Sequence, residues 1–308
     1  MRSDLLEQNR YENVKQTLIL LLSMMTLMFL LGWMLGGFSG IVFAAIISIT
    51  LLMVNGYHSP LRLLKTLKAR QLDPGSFPEL HNILRKITHR AGLSHSPSLY
   101  CVPSKVMNAF VIGKEENAAI VVTDSLLRNL NLREVAGILG HEMAHIRNKD
   151  LWVMSVAGAT VRIVHFFSTI GQVLVLLALP ALLYGDVKIA LLPLLLLFFA
   201  PTLCLMLMMA LSRTREYEAD RMGVELVGDV YGLVSALEKL ERYHKGLPRF
   251  FLAPWKLSQP SFLQTHPPTK ERIGRLLSML DTSDDWLLRV PWQQRVSHRN
   301  MYYLQGML

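Results

Sequence analysis

Between Lys15 and Arg62 the chain carries no Asp, Glu, Lys or Arg. An apolar run of that length is too long for one bilayer crossing of about 20 residues and fits two. Gly36-Gly37 and Ser39-Gly40 supply a turn, which predicts spans near 17–35 and 38–54. A cleaved signal peptide would instead show one short apolar core and a small-residue cleavage site. A second apolar pair follows at 151–183 and 187–211, joined by Tyr184-Gly185-Asp186. Pro193 and Pro201 are expected to bend the last span, which a bilayer tolerates when neighbours satisfy the freed carbonyls. Arg162 and His165 fall inside the third run. They mark either a polar site in the membrane or, the favoured reading, turns that stand clear of hydrocarbon, since roughly 33 helical residues measure about 50 Å against a core of about 30 Å.

The polar remainder, 58–150 and 212–308, has the patterning of a folded domain. Ser76-Phe77-Pro78-Glu79 is a capping-box signature and opens a helix that Ala91-Gly92 closes. Three strands are predicted at 98–102, 108–112 and 118–123, rich in Val, Ile, Phe and Tyr between turn-forming residues. Asn131-Leu132-Arg133-Glu134 repeats the capping pattern and starts a further helix. Gly137 and Gly140 inside it each cost about 1 kcal/mol against Ala, which close approach of another backbone would explain. Helices are expected at 216–228, 231–243 and 270–280, with a loop-like stretch at 250–264 and an aromatic, basic tail after Ser283. The chain thus divides into a first membrane hairpin (1–57), the first part of a soluble domain (58–150), a second hairpin (151–211) and the rest of that domain (212–308). The expected fold is mainly α with a small β-sheet: a multi-pass membrane protein with four transmembrane helices in two hairpins and a zincin-like α+β catalytic domain.

Composition agrees. Of 308 residues, 51% are hydrophobic, which points to a bilayer partner. The net charge of +9 is explained by basic residues beside the spans, and no nucleic-acid-binding signature accompanies it. Arg2, Arg10 and Lys15 precede the first span; Arg62, Lys65, Lys68 and Arg70 follow the second. Arg147 and Lys149 precede the third, and Arg213 and Arg215 follow the fourth, whereas the opposite loops carry only Lys188. The positive-inside rule therefore puts both termini and the soluble domain in the cytoplasm. Cys101 and Cys204, the only cysteines, support neither a disulfide framework nor a thiolate metal site.

The chemistry concentrates in His141-Glu142-Met143-Ala144-His145. Two imidazoles four residues apart share one helix face and can share a tetrahedral zinc ion, while Glu142 is placed to take a proton from the attacking water. A third ligand is expected from Arg215-Glu216-Tyr217-Glu218-Ala219-Asp220, where Glu216 and Asp220 share a face one turn apart and Glu218 is the rival. Counted from Gly185, the His box lies about 40 to 44 residues away and Glu216 about 31, a mismatch of about 14 to 20 Å along straight helices. A helix break near 148–150 is predicted to remove it.

These motifs resemble the HtpX-type membrane zinc metallopeptidases, of one superfamily with the CAAX prenyl proteases. The paired spans, the Asn108-Ala109-Phe110 strand, the HEMAH box, Glu216-x-x-x-Asp220 and Thr265-His266-Pro267-Pro268 with Arg272 beyond carry the likeness. It implies that His141, His145 and Glu216 bind one Zn2+ per chain and that Glu142 is the catalytic base. It implies further that Asp220 steers a ligating imidazole, that His266 approaches the reaction centre and that Arg272 holds nearby carboxylates. The strand at Asn108, Ala109 and Phe110 would pair with substrate backbone. Protein or peptide substrates, a bilayer, residence in a bacterial inner membrane and a role in quality control are what the same likeness implies; the oligomeric state does not follow from it. Processing of prenylated C-termini is the nearest alternative, and a non-catalytic zinc-containing scaffold or a transporter the more distant ones.

Overall fold

A computed structural model describes residues 2–56, 60–184, 190–246 and 267–281. The first apolar run is the helix α1 (Arg2–Gly56), interrupted where Gly36 and Gly37 leave helical geometry. Gly37, at φ +57°, takes a conformation that side chains disfavour, and there the chain folds back. Ser48 Oγ lies 3.4 Å from Met28 Sδ, and a Cβ on Gly32 would sit 2.8 Å from the Gly40 carbonyl oxygen. Residues 20 apart would be about 30 Å apart on a straight helix, so the two arms form a hairpin. The turn uses Gly36-Gly37 alone; Ser39 and Gly40 are helical.

α2 (Pro60–Thr66) leads into β1 (Arg70–Gln71), then α3 (Pro78–Ala91), β2 (Ser98–Val102), β3 (Ala109–Ile112), β4 (Ala119–Thr123) and α4 (Asp124–Asn129). The sheet is mixed, in the order β1-β2-β4-β3, with β2 and β4 parallel and the other pairs antiparallel. Alternation decides which residue meets which layer. Leu99, Val111, Ile120 and Val122 enter a core with Leu80, Ile83 and Leu84 of α3, while Val102, Phe110, Ile112 and Val121 pack with Leu64 of α2. Both faces are covered, and all of β4 is buried.

α5 (Leu132–Arg147) starts at Asn131 with the predicted reciprocal capping box: the Asn131 side chain accepts from the Glu134 amide, and the Glu134 side chain from the Asn131 amide. It ends at Asn148, and Lys149 at φ +55° turns the chain into α6 (Asp150–Leu177). This is the predicted break. α6 ends at Leu177, and α7 (Leu179–Leu183) follows as a separate piece with Pro180 in its first turn, where the missing N–H costs nothing. α8 (Leu191–Val227) is one helix with Pro201 inside, so the apolar stretch and the acidic segment belong to a single element. α9 (Val230–Gly246) and α10 (Thr269–Asp281) complete the chain as described.

Among the described residues three helices are long and apolar enough to cross a membrane: the Tyr11–Leu51 part of α1, which is the hairpin, then α6 and α8. Arg162 and His165 occupy exposed positions on α6. The chain divides into two compact units, Met1–His58 with Trp152–Thr214, and Ser59–Leu151 with Arg215–Leu308. The second contains the sheet and every described residue of the site.

Candidate metal centre

The site forms where α5 meets the end of α8 at backbone distance. A Cβ on Gly140 would lie 2.8 Å from Gly223 O, and one on Gly223 would lie 2.7 Å from His141 N. On the next turn of α5, a Cβ on Gly137 would lie 2.8 Å from Leu233 N of α9. This is the close approach that two glycines in a helix interior demanded.

His141 Nε2 and His145 Nε2 face each other at 3.1 Å. Glu216 Oε2 lies 3.7 Å from the first and Oε1 3.6 Å from the second. All three residues are buried, and together they are a group that could hold a metal ion. Neither residue 218 nor another acid displaces Glu216: Glu218 is turned away, its Oε1 2.6 Å from the Arg221 guanidinium.

The two imidazoles are oriented from behind. His145 Nδ1 is 2.7 Å from Asp150 Oδ2, and His141 Nδ1 makes an oblique contact of 2.9 Å with Asp220 Oδ1. Arg272 donates to both Asp220 oxygens at 2.7 and 2.6 Å and lies 3.8 Å from Glu216 Oε2. His145 Nδ1 is hydrogen-bonded to Asp150 and His141 Nδ1 is in contact with Asp220, which leaves both Nε2 atoms free to act as metal donors. Two facing nitrogens with a carboxylate beside them call for positive charge, supplied either by a proton on one ring or by a metal ion that all three side chains hold. In a tetrahedral zinc site with bonds near 2.0–2.1 Å the donor atoms stand about 3.3 Å apart, close to the spacings here. Electrostatics point the same way. Burial opposes charge on His145, yet the Asp150 hydrogen bond and the Asp150, Glu216 and Glu142 carboxylates outweigh it and push the imidazole pKa up to about 9. The pocket favours positive charge, and its donor set fits a zinc ion.

Glu142 is buried next to His141, and among the described residues no hydrogen bond or ion pair holds its carboxyl. Asn108 precedes β3; its amide donates to Thr123 Oγ1 at 2.9 Å and its carbonyl accepts from Thr123 N at 3.0 Å. β3 is the last strand of the sheet among the described residues, and α5 packs against it. Ala109 is half-buried, whereas the Phe110 side chain is buried in the layer under α2. His266 lies outside the described residues, as do the predicted loop at 250–264 and the tail after Ser283.

Asp150 and Arg215 were not singled out from sequence as site residues. Asp150 read only as part of a helix break and Arg215 as a juxtamembrane surface charge. Arg215 is in fact buried, with Nε 2.5 Å from Asp150 Oδ1.

A family model described as peptidase family M48 matches residues 74–280, about two thirds of the chain. The chain belongs to peptidase family M48. The M48 region takes in β2, β3 and β4 of the sheet, α5, Glu216, Asp220 and Arg272. Proteins named Protease HtpX homolog are similar over most of the M48 chain. The one from Salinibacter ruber is 33% identical over 281 residues, covering 87% of this chain and 98% of that one. The one from Desulfatibacillum aliphaticivorans is 30% identical over 283 residues, covering 86% and 89%. The one from Burkholderia mallei is 31% identical over 288 residues, covering 88% and 98%. A crystal structure of S. mikatae Ste24p is also similar, with a TM-score of 0.43 and 16% identity, over 87% of this chain and 66% of that one. An M48 peptidase with helices of this length and apolarity is a membrane protease.

Proposed function

We propose that the protein is a zinc-dependent endopeptidase of the bacterial inner membrane that cleaves misfolded or membrane proteins at the cytoplasmic face. On this reading the two hairpins make four crossings, and both termini and the site lie in the cytoplasm, as the distribution of basic residues favours. The observation that carries the reading is the facing pair of imidazole nitrogens at 3.1 Å with the Glu216 carboxylate beside them and Glu142 on the same helix.

His141, His145 and Glu216 would hold one zinc per chain, leaving the fourth position open as catalytic sites require. Zinc, when bound, would supply Lewis acidity, bringing the pKa of a water from about 15.7 towards about 7. Glu142 takes the proton of the attacking water and passes it to the leaving amine, a duty suited to a carboxylate that no ion pair ties down. Asp220, clamped by Arg272, fixes the His141 ring. An extended substrate adds to the outer edge of β3 by main-chain pairing, which gives affinity with little sequence preference, while His266 donates a hydrogen bond to the developing oxyanion.

Glu142→Gln in detergent-purified protein should keep its zinc and lose casein cleavage by at least about 100-fold, the usual contribution of a general base. His141→Ala should lose both metal and activity. Casein cleavage at wild-type rate by zinc-loaded Glu142→Gln overturns the mechanism. Turnover of a farnesylated peptide with none of casein would move the substrate assignment to prenylated C-termini.

A further inference from the structure

Behind the metal-facing imidazoles stand two carboxylate–arginine pairs. One, Asp220 with Arg272, backs His141. The other, Asp150 with Arg215, backs His145 from a different direction, and neither residue has a part in the mechanism above. We propose that Asp150 is a positioning residue for the metal centre: it fixes the tautomer and plane of His145, and Arg215 fixes Asp150.

His145, Asp150 and Arg215 are all buried, with 8%, 4% and 7% of their surfaces exposed. Burial without partners would be costly for each, and the chain Arg215–Asp150–His145 satisfies them in series through contacts of 2.5 and 2.7 Å. The Asp150 carboxylate has one oxygen for each partner, so it cannot rotate without losing one of them. Accepting from His145 Nδ1 leaves the Nε2 lone pair directed at His141 Nε2. Asp150 is also the first residue of α6, where the helix dipole favours an anion. Its position depends on Lys149, whose left-handed backbone reverses the chain just after α5. Arg215 is the immediate neighbour of Glu216 on α8. The same contact therefore ties the helix carrying the third ligand to the second imidazole without help from a metal. Two such ties, one through each histidine, assemble the donor set before an ion arrives.

The inference rests on the metal-site reading, and the test separates the two. Full-length protein in detergent is titrated with zinc against a competing chelator. Wild type and His141→Ala test the site itself: the first should bind one equivalent and the second none, and any other result overturns the metal-site reading. Asp150→Asn should weaken zinc binding about ten- to a hundredfold, the usual effect of losing such a partner. Its kcat should recover at saturating zinc with KM unchanged. Asp229→Asn breaks a comparable pair with Arg133, remote from the histidines, and should lower thermal stability while leaving zinc affinity alone. Asp150→Glu, which restores the carboxylate, should regain part of the affinity. If Asp150→Asn fails to fold, Arg215→Lys replaces it, with a weakening of several-fold expected. Zinc affinity within twofold of wild type in the folded variant, or an equal loss in Asp229→Asn, overturns the proposal.

Discussion

At the scale of single residues the metal site depends as much on missing side chains as on the ligands. Gly140 and Gly223 let α5 and α8 touch where His141 begins its side chain, and the atoms around Gly223 are backbone, which cannot give way. Gly223→Ala should therefore destabilise the fold by about 1–3 kcal/mol, the usual cost of overpacking. It should also reduce zinc occupancy, because the displaced helix carries Glu216. Differential scanning fluorimetry with metal analysis checks both, and unchanged occupancy would show that the contact does not set ligand geometry. Much of this level was legible in the chain. The glycines were costly enough in a helix to require an explanation, and the spacing of the two histidines fixed their shared face. Asp150 and Arg215 were not legible, because their meaning comes from a left-handed residue at 149 and a partner 65 positions away. No local pattern encodes that.

At the scale of elements, α5 is held at its start by a buried carboxylate. Glu134 Oε2 accepts from Lys239 Nζ at 2.8 Å and Oε1 from Ser235 Oγ at 2.6 Å, tying α5 to α9 on top of its capping role. Burial works against its charge, but Lys239, Ser235 and the Asn131 amide outweigh it and hold its pKa below the usual carboxylate range. A depressed carboxylate pKa stabilises the fold fully above the ordinary value of about 4.3, and that contribution is lost as pH falls through the lowered value. Glu134→Gln should thus melt below wild type at pH 7, with the difference shrinking once pH drops under about 4. A gap in Tm that persists unchanged at pH 3 would contradict this. The Asn131 capping box, the strands and the helix starts were readable to within a residue or so because each carries its own period or cap, whereas the box expected at Ser76 does not form: α3 starts after Phe77, which makes no side-chain cap. β1 and α4 were too short for any period to show, and the parallel pairing of β2 with β4 is a choice between distant partners that alternation cannot reveal.

At the scale of the whole molecule, the sequence expectation of a mainly helical chain with a small sheet and apolar helices long enough to cross a membrane matches the architecture. Sidedness remains a proposal, and the buried cysteines make it testable. Burial pushes the Cys101 thiol up to about 11, so little thiolate forms at neutral pH, and Cys204 is buried too. Ser94→Cys, at an exposed position, should react with a membrane-impermeant maleimide in inverted vesicles only. Asp186→Cys should react only in vesicles of native orientation, and the reverse pattern would refute the cytoplasmic assignment. The contacts at Gly137, Gly140 and Gly223 also bear on how such a protein can diverge. Where main chain meets main chain, an added side chain has to shift a whole helix, so point changes at these glycines cannot retune this side of the metal centre by degrees.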